Sequence, residues 1–244
     1  MRMLGRMTWL EVKLFLREPL TVMFALALPL VVLFVMGGVF GNEVDPEFYR
    51  GVGAMDFYVP AYVALVCASV GLISLPAHIA GARERGVLKR YRASSMPAWV
   101  IVGAEVLVTV LLAAVSSVVL VAVAAPLHDV MSPQSLVEVL GGFVLDAFAF
   151  AAVGVMLGAI LPTARAAQAL GVMAWFVMLM LGAGPPPEVL SDALNLVGDL
   201  MPLRHAARVM QDGWLGLDAG LSWLITGGFL VGSGAVAVRF FRWE

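Results

Sequence analysis

Two carboxylates, Glu105 and Asp146, stand inside otherwise apolar runs of this sequence. A charge near the centre of a bilayer is costly, so each must pair, reach an interface or line a polar pathway. Glu105 follows Pro97 by roughly two turns, about 12 Å at 1.5 Å per residue, which leaves the inner headgroups or basic neighbours within reach. Asp146 lies about two turns inside the outer end of its own run, and His78 about one turn before Arg83, so both are expected near an interface or in a pair. Other chemistry finds little support. The lysines are Lys13 and Lys89, neither follows a glycine, and no phosphate-binding G-x-x-x-x-G-K-[ST] loop exists. His78, His128 and His205 are far apart, and with the single Cys67 they match no familiar zinc pattern, so no metal site is expected. Cys67 can form no internal disulfide and reads as a small buried hydrophobe. Ser233, between Gly232 and Gly234, has no histidine after it. Small residues in a span usually serve close helix packing.

The elements that must hold these groups are membrane helices. The 244 residues are 61% hydrophobic and 13% charged, with a mean hydropathy of +0.96, where a soluble domain carries about 25% charged residues. Apolar stretches run from Pro19 to Asn42, Phe57 to Ala82, Pro97 to Leu127, Val139 to Ala164, Ala166 to Pro187 and Ala219 to Val238. Each can cross a hydrocarbon layer that needs about 20 residues. Because lipid offers the backbone no hydrogen-bond partner and the runs lack strand alternation, the reading is an all-α integral membrane protein of six transmembrane helices in one domain, 1–244. Charges recur through Glu18 with no small-residue cleavage site, so no removed signal peptide is expected. The net charge of −2 points to no nucleic-acid partner.

Lys and Arg set the orientation. With the amino terminus inside, the cytoplasmic segments hold twelve of the fifteen basic residues, leaving Arg50, Arg204 and Arg208 outside among many carboxylates. Both termini are then cytoplasmic, in the cell (inner or plasma) membrane. Within 1–18, Arg2, Arg6, Lys13 and Arg17 share one helical stripe beside Trp9 and several Met and Leu residues, which suits an interfacial amphipathic helix. Segment 83–97, RERGVLKRYRASSMP, is a basic docking surface in which Gly86 can cap a helix and Pro97 can start the next. Between spans five and six, segment 185–214 is too apolar for an open loop. Leu190, Leu194 and Val197, then Leu203, Ala207 and Met210, recur at helical spacing and predict two short outer helices that could enter the outer leaflet.

These parts in this order resemble the type-2 permeases of ATP-binding-cassette (ABC) exporters, the drug and lipid branch. The stretch ARERGVLKRYRASSMP is similar to the family pattern E-R-E-x-G-T-L-x-R-L-x-A-x-P-x through Glu84, Gly86, Leu88, Arg90, Ala93 and Pro97. GAGPPPEVLSDALNLVGDLMPLRHA is similar to its later stretch through Gly182, Pro185, Pro202, Leu203 and Ala206. Val87 and Glu105 stand where the family often has a small hydroxyl residue and a lysine. The resemblance implies a permease without an ATPase site of its own. It would pair with a second permease chain, in a homodimer or heterodimer, on two ATPase subunits that bind ATP and Mg. Residues Arg83, Glu84, Arg85, Gly86, Leu88, Lys89, Arg90 and Arg92 would form the coupling segment. Pro185, Pro202 and His205 would belong to an outer lid over the path of an amphiphilic drug-like or lipid-like substrate. Two other classes remain open on the residues alone: a proton-coupled secondary carrier relaying through Glu105 and Asp146, and a non-transporting membrane scaffold or sensor.

Overall fold

The computed structural model describes residues 8–9, 23–89, 97–218 and 220–240. The expected interfacial helix over 1–18, apart from Thr8 and Trp9, and Arg90 and Arg92 of the basic segment lie outside the described residues. Six helices are long and apolar enough to cross a membrane. They are α1 (Met23–Phe40), α2 (Ala54–Glu84), α3 (Ala98–His128), α4 (Leu136–Ile160), α5 (Ala164–Ala183) and α8 (Gly220–Phe240). Between the last two lie α6 (Asp192–Asp199) and α7 (Pro202–Leu215). The six expected spans and the two short helices are all present, and the described residues hold no strand beyond one isolated bridge, Val44 to Gly53.

Helix ends follow local chemistry. Ser135 and Glu138 stand at capping-box spacing at the start of α4, where the Ser135 hydroxyl accepts the Glu138 N–H at 3.4 Å. Thr163 likewise accepts the Ala166 N–H at 3.2 Å and opens α5. Pro202 begins α7, where a missing N–H costs nothing. The fifth span ends at Ala183, four residues earlier than the hydropathy suggested, because Pro185, Pro186 and Pro187 cannot continue a helix.

The most apolar window of α2 is 89% buried, against 50% for α4 and 22–33% for the other four spans. This helix is therefore the centre of the bundle, and α4, α5, α3, α1 and α7 pack around it. Its path explains the packing. Over Val70–Ser74 the helix widens into a π turn, with the Leu75 N–H bonded to the Val70 carbonyl. Pro76 has no N–H to give the carbonyl of Leu72, four residues back, or of Gly71, five back. Those two carbonyls face glycines of neighbouring helices. A Cβ on Gly154 of α4 would collide with the Gly71 oxygen, and one on Gly171 of α5 with the Leu72 oxygen. A Cβ on Gly71 itself would lie 2.7 Å from the Phe150 backbone. Only a glycine hydrogen fits at these places, where Cα–H groups can approach the freed carbonyls.

Overpacking such a contact costs about 1–3 kcal/mol. Gly154→Ala and Gly171→Ala are each expected to lower the thermal unfolding midpoint in detergent, followed by tryptophan fluorescence. Gly228→Ala on α8, with no atom within 4 Å of the added carbon, is expected to leave it unchanged or slightly raised.

Candidate functional site

The bundle has a basic end and an acidic end, and side chains at each tie helices together. At the basic end, Arg83 in the last turn of α2 donates from Nη1 to the Ala159 carbonyl at 2.8 Å and from Nη2 to the Leu161 carbonyl. These are the last carbonyls of α4 and its cap, which lack partners in their own helix. Glu84 Oε2 accepts the first N–H of α5, from Ala164, at 3.2 Å, where a carboxylate also meets the positive end of the helix dipole. One Arg–Glu pair of neighbours thus clamps the end of α2 onto the α4–α5 turn. Gly86 then reverses the chain at φ +69°, a conformation that favours glycine. Beyond it, Leu88 is buried while Arg85 and Lys89 are exposed.

Deeper on this side, Glu105 of α3 pairs with His78 of α2, Oε1 to Nδ1 at 3.7 Å, and both side chains are almost wholly buried. His78 is thus held between helices rather than at an open interface. The pair joins the two helices that flank segment 83–97. Asp146 sits ten residues into α4, about 15 Å along its axis, closer to the middle of the helix than its hydropathy run implied. It is fully buried, neither carboxyl oxygen has a hydrogen-bond partner among the described residues, and Cys67 of α2 lies within its electrostatic reach. The structure does not bring Glu105 and Asp146 into one pair.

At the acidic end, Asn42 holds three elements. Its Nδ2 donates to the His128 carbonyl at the end of α3 at 3.0 Å, and its Oδ1 accepts the N–H groups of Met55 and Asp56 in the first turn of α2 at 3.0 and 3.1 Å. Nearby, Asp56 Oδ1 accepts the Met131 N–H at 2.8 Å. Arg204, 3% exposed, forms a second knot. It donates to the carbonyls of Leu181 and Asn195 at 3.1 and 3.0 Å, to Asn195 Oδ1 at 3.2 Å and to Asp199 Oδ1 at 3.3 Å. Asp199 Oδ1 also takes Arg208 at 3.3 Å, and its carbonyl lies 2.8 Å from His205 Nε2. Arg50 pairs with Asp212, and Gln211 donates to the Phe57 carbonyl at 3.1 Å. α7 is therefore a buried element, packed against α2, α4 and α8 and tied at both ends. His205 belongs to that buried face, and Pro185 lines the cavities described next.

Two cavities open beside these knots. One of about 350 Å³ has Arg50, Arg204, Arg208, Gln211 and Glu188 in its wall. The other, about 510 Å³, is walled by α1, α2 and the end of α5, and its lining is mostly aromatic and aliphatic. Pro185 borders both. Tyr49, at the mouth of the larger cavity, has its phenol pKa raised above the usual value, first by burial and then by the Asp45 carboxylate; a hydrogen bond with Tyr58 opposes the shift. Asn42, Arg204 and their partners were not singled out from the sequence as a site. The signals available were a polar residue directly after span one and a basic residue within the amphipathic repeat of α7.

Among the described residues, six apolar helices, five of them around a buried central one, with a basic connection between the second and third, define a multi-pass α-helical membrane protein. The family model described as ABC-2 type transporter matches residues 3–214. The chain belongs to that family, and is a permease component of an ABC transporter, the transmembrane part rather than the ATPase. One-to-one comparison with curated proteins returns no match.

Breaking a buried charged network by removing one partner costs about 3–5 kcal/mol. Arg204→Ala is expected to speed proteolysis between α5 and α7 and to lower the unfolding midpoint, and Arg204→Lys to do nearly the same, because an ammonium cannot reach the same four acceptors. Asn42→Ala removes a helix cap and is expected to cost about 1–2 kcal/mol, read in the same melting experiment.

Proposed function

We propose that this permease is an exporter subunit that moves an amphiphilic drug-like or lipid-like substrate out of the cytoplasm or inner leaflet. Two permease chains, identical or paired with a sister chain, sit on a dimer of separate ATPase subunits that bind ATP and Mg. The basic end faces the cytoplasm, as do both termini, in the cell membrane. The observation that carries the reading is the clamp at Arg83 and Glu84. Family membership makes an ATPase partner the general expectation, and the clamp supplies a path for force. Segment 83–97 hangs from the end of α2, and α2 is locked there to the α4–α5 turn. A push on the segment therefore acts on the buried central helix and two neighbours together, while the His78–Glu105 pair takes it into α3. For ATP to bias the permease, docking must differ between open and closed ATPase dimers. Arg85 and Lys89 are exposed to make that contact, with Arg90 and Arg92 following in sequence. At the far end, segment 185–214 serves as the lid, and the apolar cavity beneath Pro185 is a station on the substrate path.

A proton-coupled carrier is the second reading, favoured by one observation: Asp146 is fully buried with neither oxygen hydrogen-bonded among the described residues. A carrier would lose transport when the proton gradient collapses, whereas the permease would lose it when ATP is withdrawn.

The test is co-purification with candidate ATPase subunits from the same cell, followed by ATP hydrolysis in nanodiscs. Gly86→Pro forces a negative φ where the chain needs +69°, and Arg90→Glu reverses a charge in the segment. Both are expected to weaken complex formation about tenfold, or ~1.4 kcal/mol, and to lower the stimulated ATPase rate. A complex that forms equally well with both variants, or no ATPase partner at all, would overturn the coupling assignment.

A further inference from the structure

The larger cavity has a chemical character that an amphiphile path alone does not require. Five aromatic rings line it: Phe40 from α1, Phe48 and Tyr49 from the following loop, and Tyr58 and Tyr62 from α2. The rings form a continuous wall. Tyr58 stacks on Tyr62 with centroids 5.5 Å apart, Tyr49 lies 5.7 Å from Tyr58, and Phe40 and Phe48 stand 6.2 and 6.3 Å from Tyr49. No Lys, Arg or His lines this cavity among the described residues. The arginines are on the other side of Pro185, in the smaller cavity.

One carboxylate, Asp45, lines the cavity. Asp45 is half-buried and makes no ion pair among the described residues. Its Oδ1 accepts the N–H groups of Glu47 and Phe48 at 2.9 and 3.3 Å, so the carboxylate is held in a fixed turn. A volume of about 510 Å³ falls in the range of drug-sized sites. The thioethers of Met36 and Met180 add adaptable apolar surface.

We infer that this cavity binds a hydrophobic organic cation, a tertiary or quaternary ammonium on an aromatic or alkyl body, with Asp45 facing the charge and the accessible rings of Phe40 and Phe48, backed by the buried tyrosines, taking the cationic head and its body. The inference rests on the amphiphile-export reading and narrows it. An aromatic face attracts a cation through its quadrupole, most strongly when both are desolvated. The Asp45 carboxylate adds to that attraction and repels an anion of the same shape. A neutral amphiphile would gain the apolar contacts and leave Asp45 unmatched.

The experiment uses the full chain in phosphatidylcholine nanodiscs without ATPase subunits. Three dansyl-alkyl probes share one body and differ in the head: trimethylammonium, neutral hydroxyl and sulfonate. Fluorescence titration is corrected with empty discs. The ammonium probe is expected to bind about tenfold tighter than the neutral one, and the sulfonate weakest. Asp45→Asn is the cleanest variant, because an amide oxygen can accept the same two N–H groups and keep the turn. It is expected to reduce the ammonium preference to about twofold or less while neutral binding and the melting midpoint stay as in the parent. Phe48→Leu is expected to weaken the ammonium probe more than the neutral one. Equal binding of ammonium and neutral probes, or an ammonium preference that survives Asp45→Asn, overturns the cation assignment and leaves the amphiphile reading standing. Absence of binding by all three probes overturns both.

Discussion

The contact on which the rest of the structure depends is the approach of the α2 backbone to Gly154 and Gly171. In lipid, apolar side chains gain little by leaving one apolar surface for another, so helices must be joined by close packing and by polar groups. Pro76 withholds an N–H from the preceding turn, the helix widens over Val70–Ser74, and the Gly71 and Leu72 carbonyls turn toward the two glycines. That places α4 and α5 on α2 at backbone contact.

The polar side chains then act as ties between helix ends. Arg83 and Glu84 use the free carbonyls of one helix and the free N–H of the next. Asn42 does the same work at the opposite end with one side chain between α2 and α3. Arg204 ties the end of α5 to α6 and α7. Each tie engages backbone groups near helix ends; Arg83, Glu84 and Asn42 join elements distant in sequence, and Arg204 joins consecutive ones. A displacement at the basic segment therefore meets a connected frame around α2. The aromatic cavity lies between α1, α2 and the end of α5.

Much of this was legible in the residues. The six spans could be read because apolar runs of this length have few alternatives. The helices before and after Pro202 followed from their apolar spacing. The basic segment and the proline-rich stretch carried the resemblance to type-2 ABC permeases, and the family match agrees with it. The depth of Asp146 and the partner of Glu105 were not legible, because both depend on the register between helices, and hydropathy carries no register. The clamp was hidden for a related reason: Arg83 and Glu84 read as docking charges, yet their partners are backbone atoms about 80 residues away, which no side-chain pattern records. Asn42 was counted only as the last residue of the first apolar run and Arg204 only as an outer basic residue, since a residue that ties two backbones looks in sequence like any polar residue at a surface.

The central claim is that force applied at segment 83–97 reaches the aromatic cavity through α2. The most direct measurement is an electron-spin distance between labels at Val39 and Val189, two exposed positions on either side of that cavity, in a Cys67→Ala chain assembled with its ATPase partners. Nucleotide-free and ATP-trapped complexes are compared. The account predicts a shift on the order of several ångström between the two states, lost when Gly86→Pro is introduced. A distance distribution that stays the same with and without trapped ATP, in a complex that hydrolyses ATP, would contradict it.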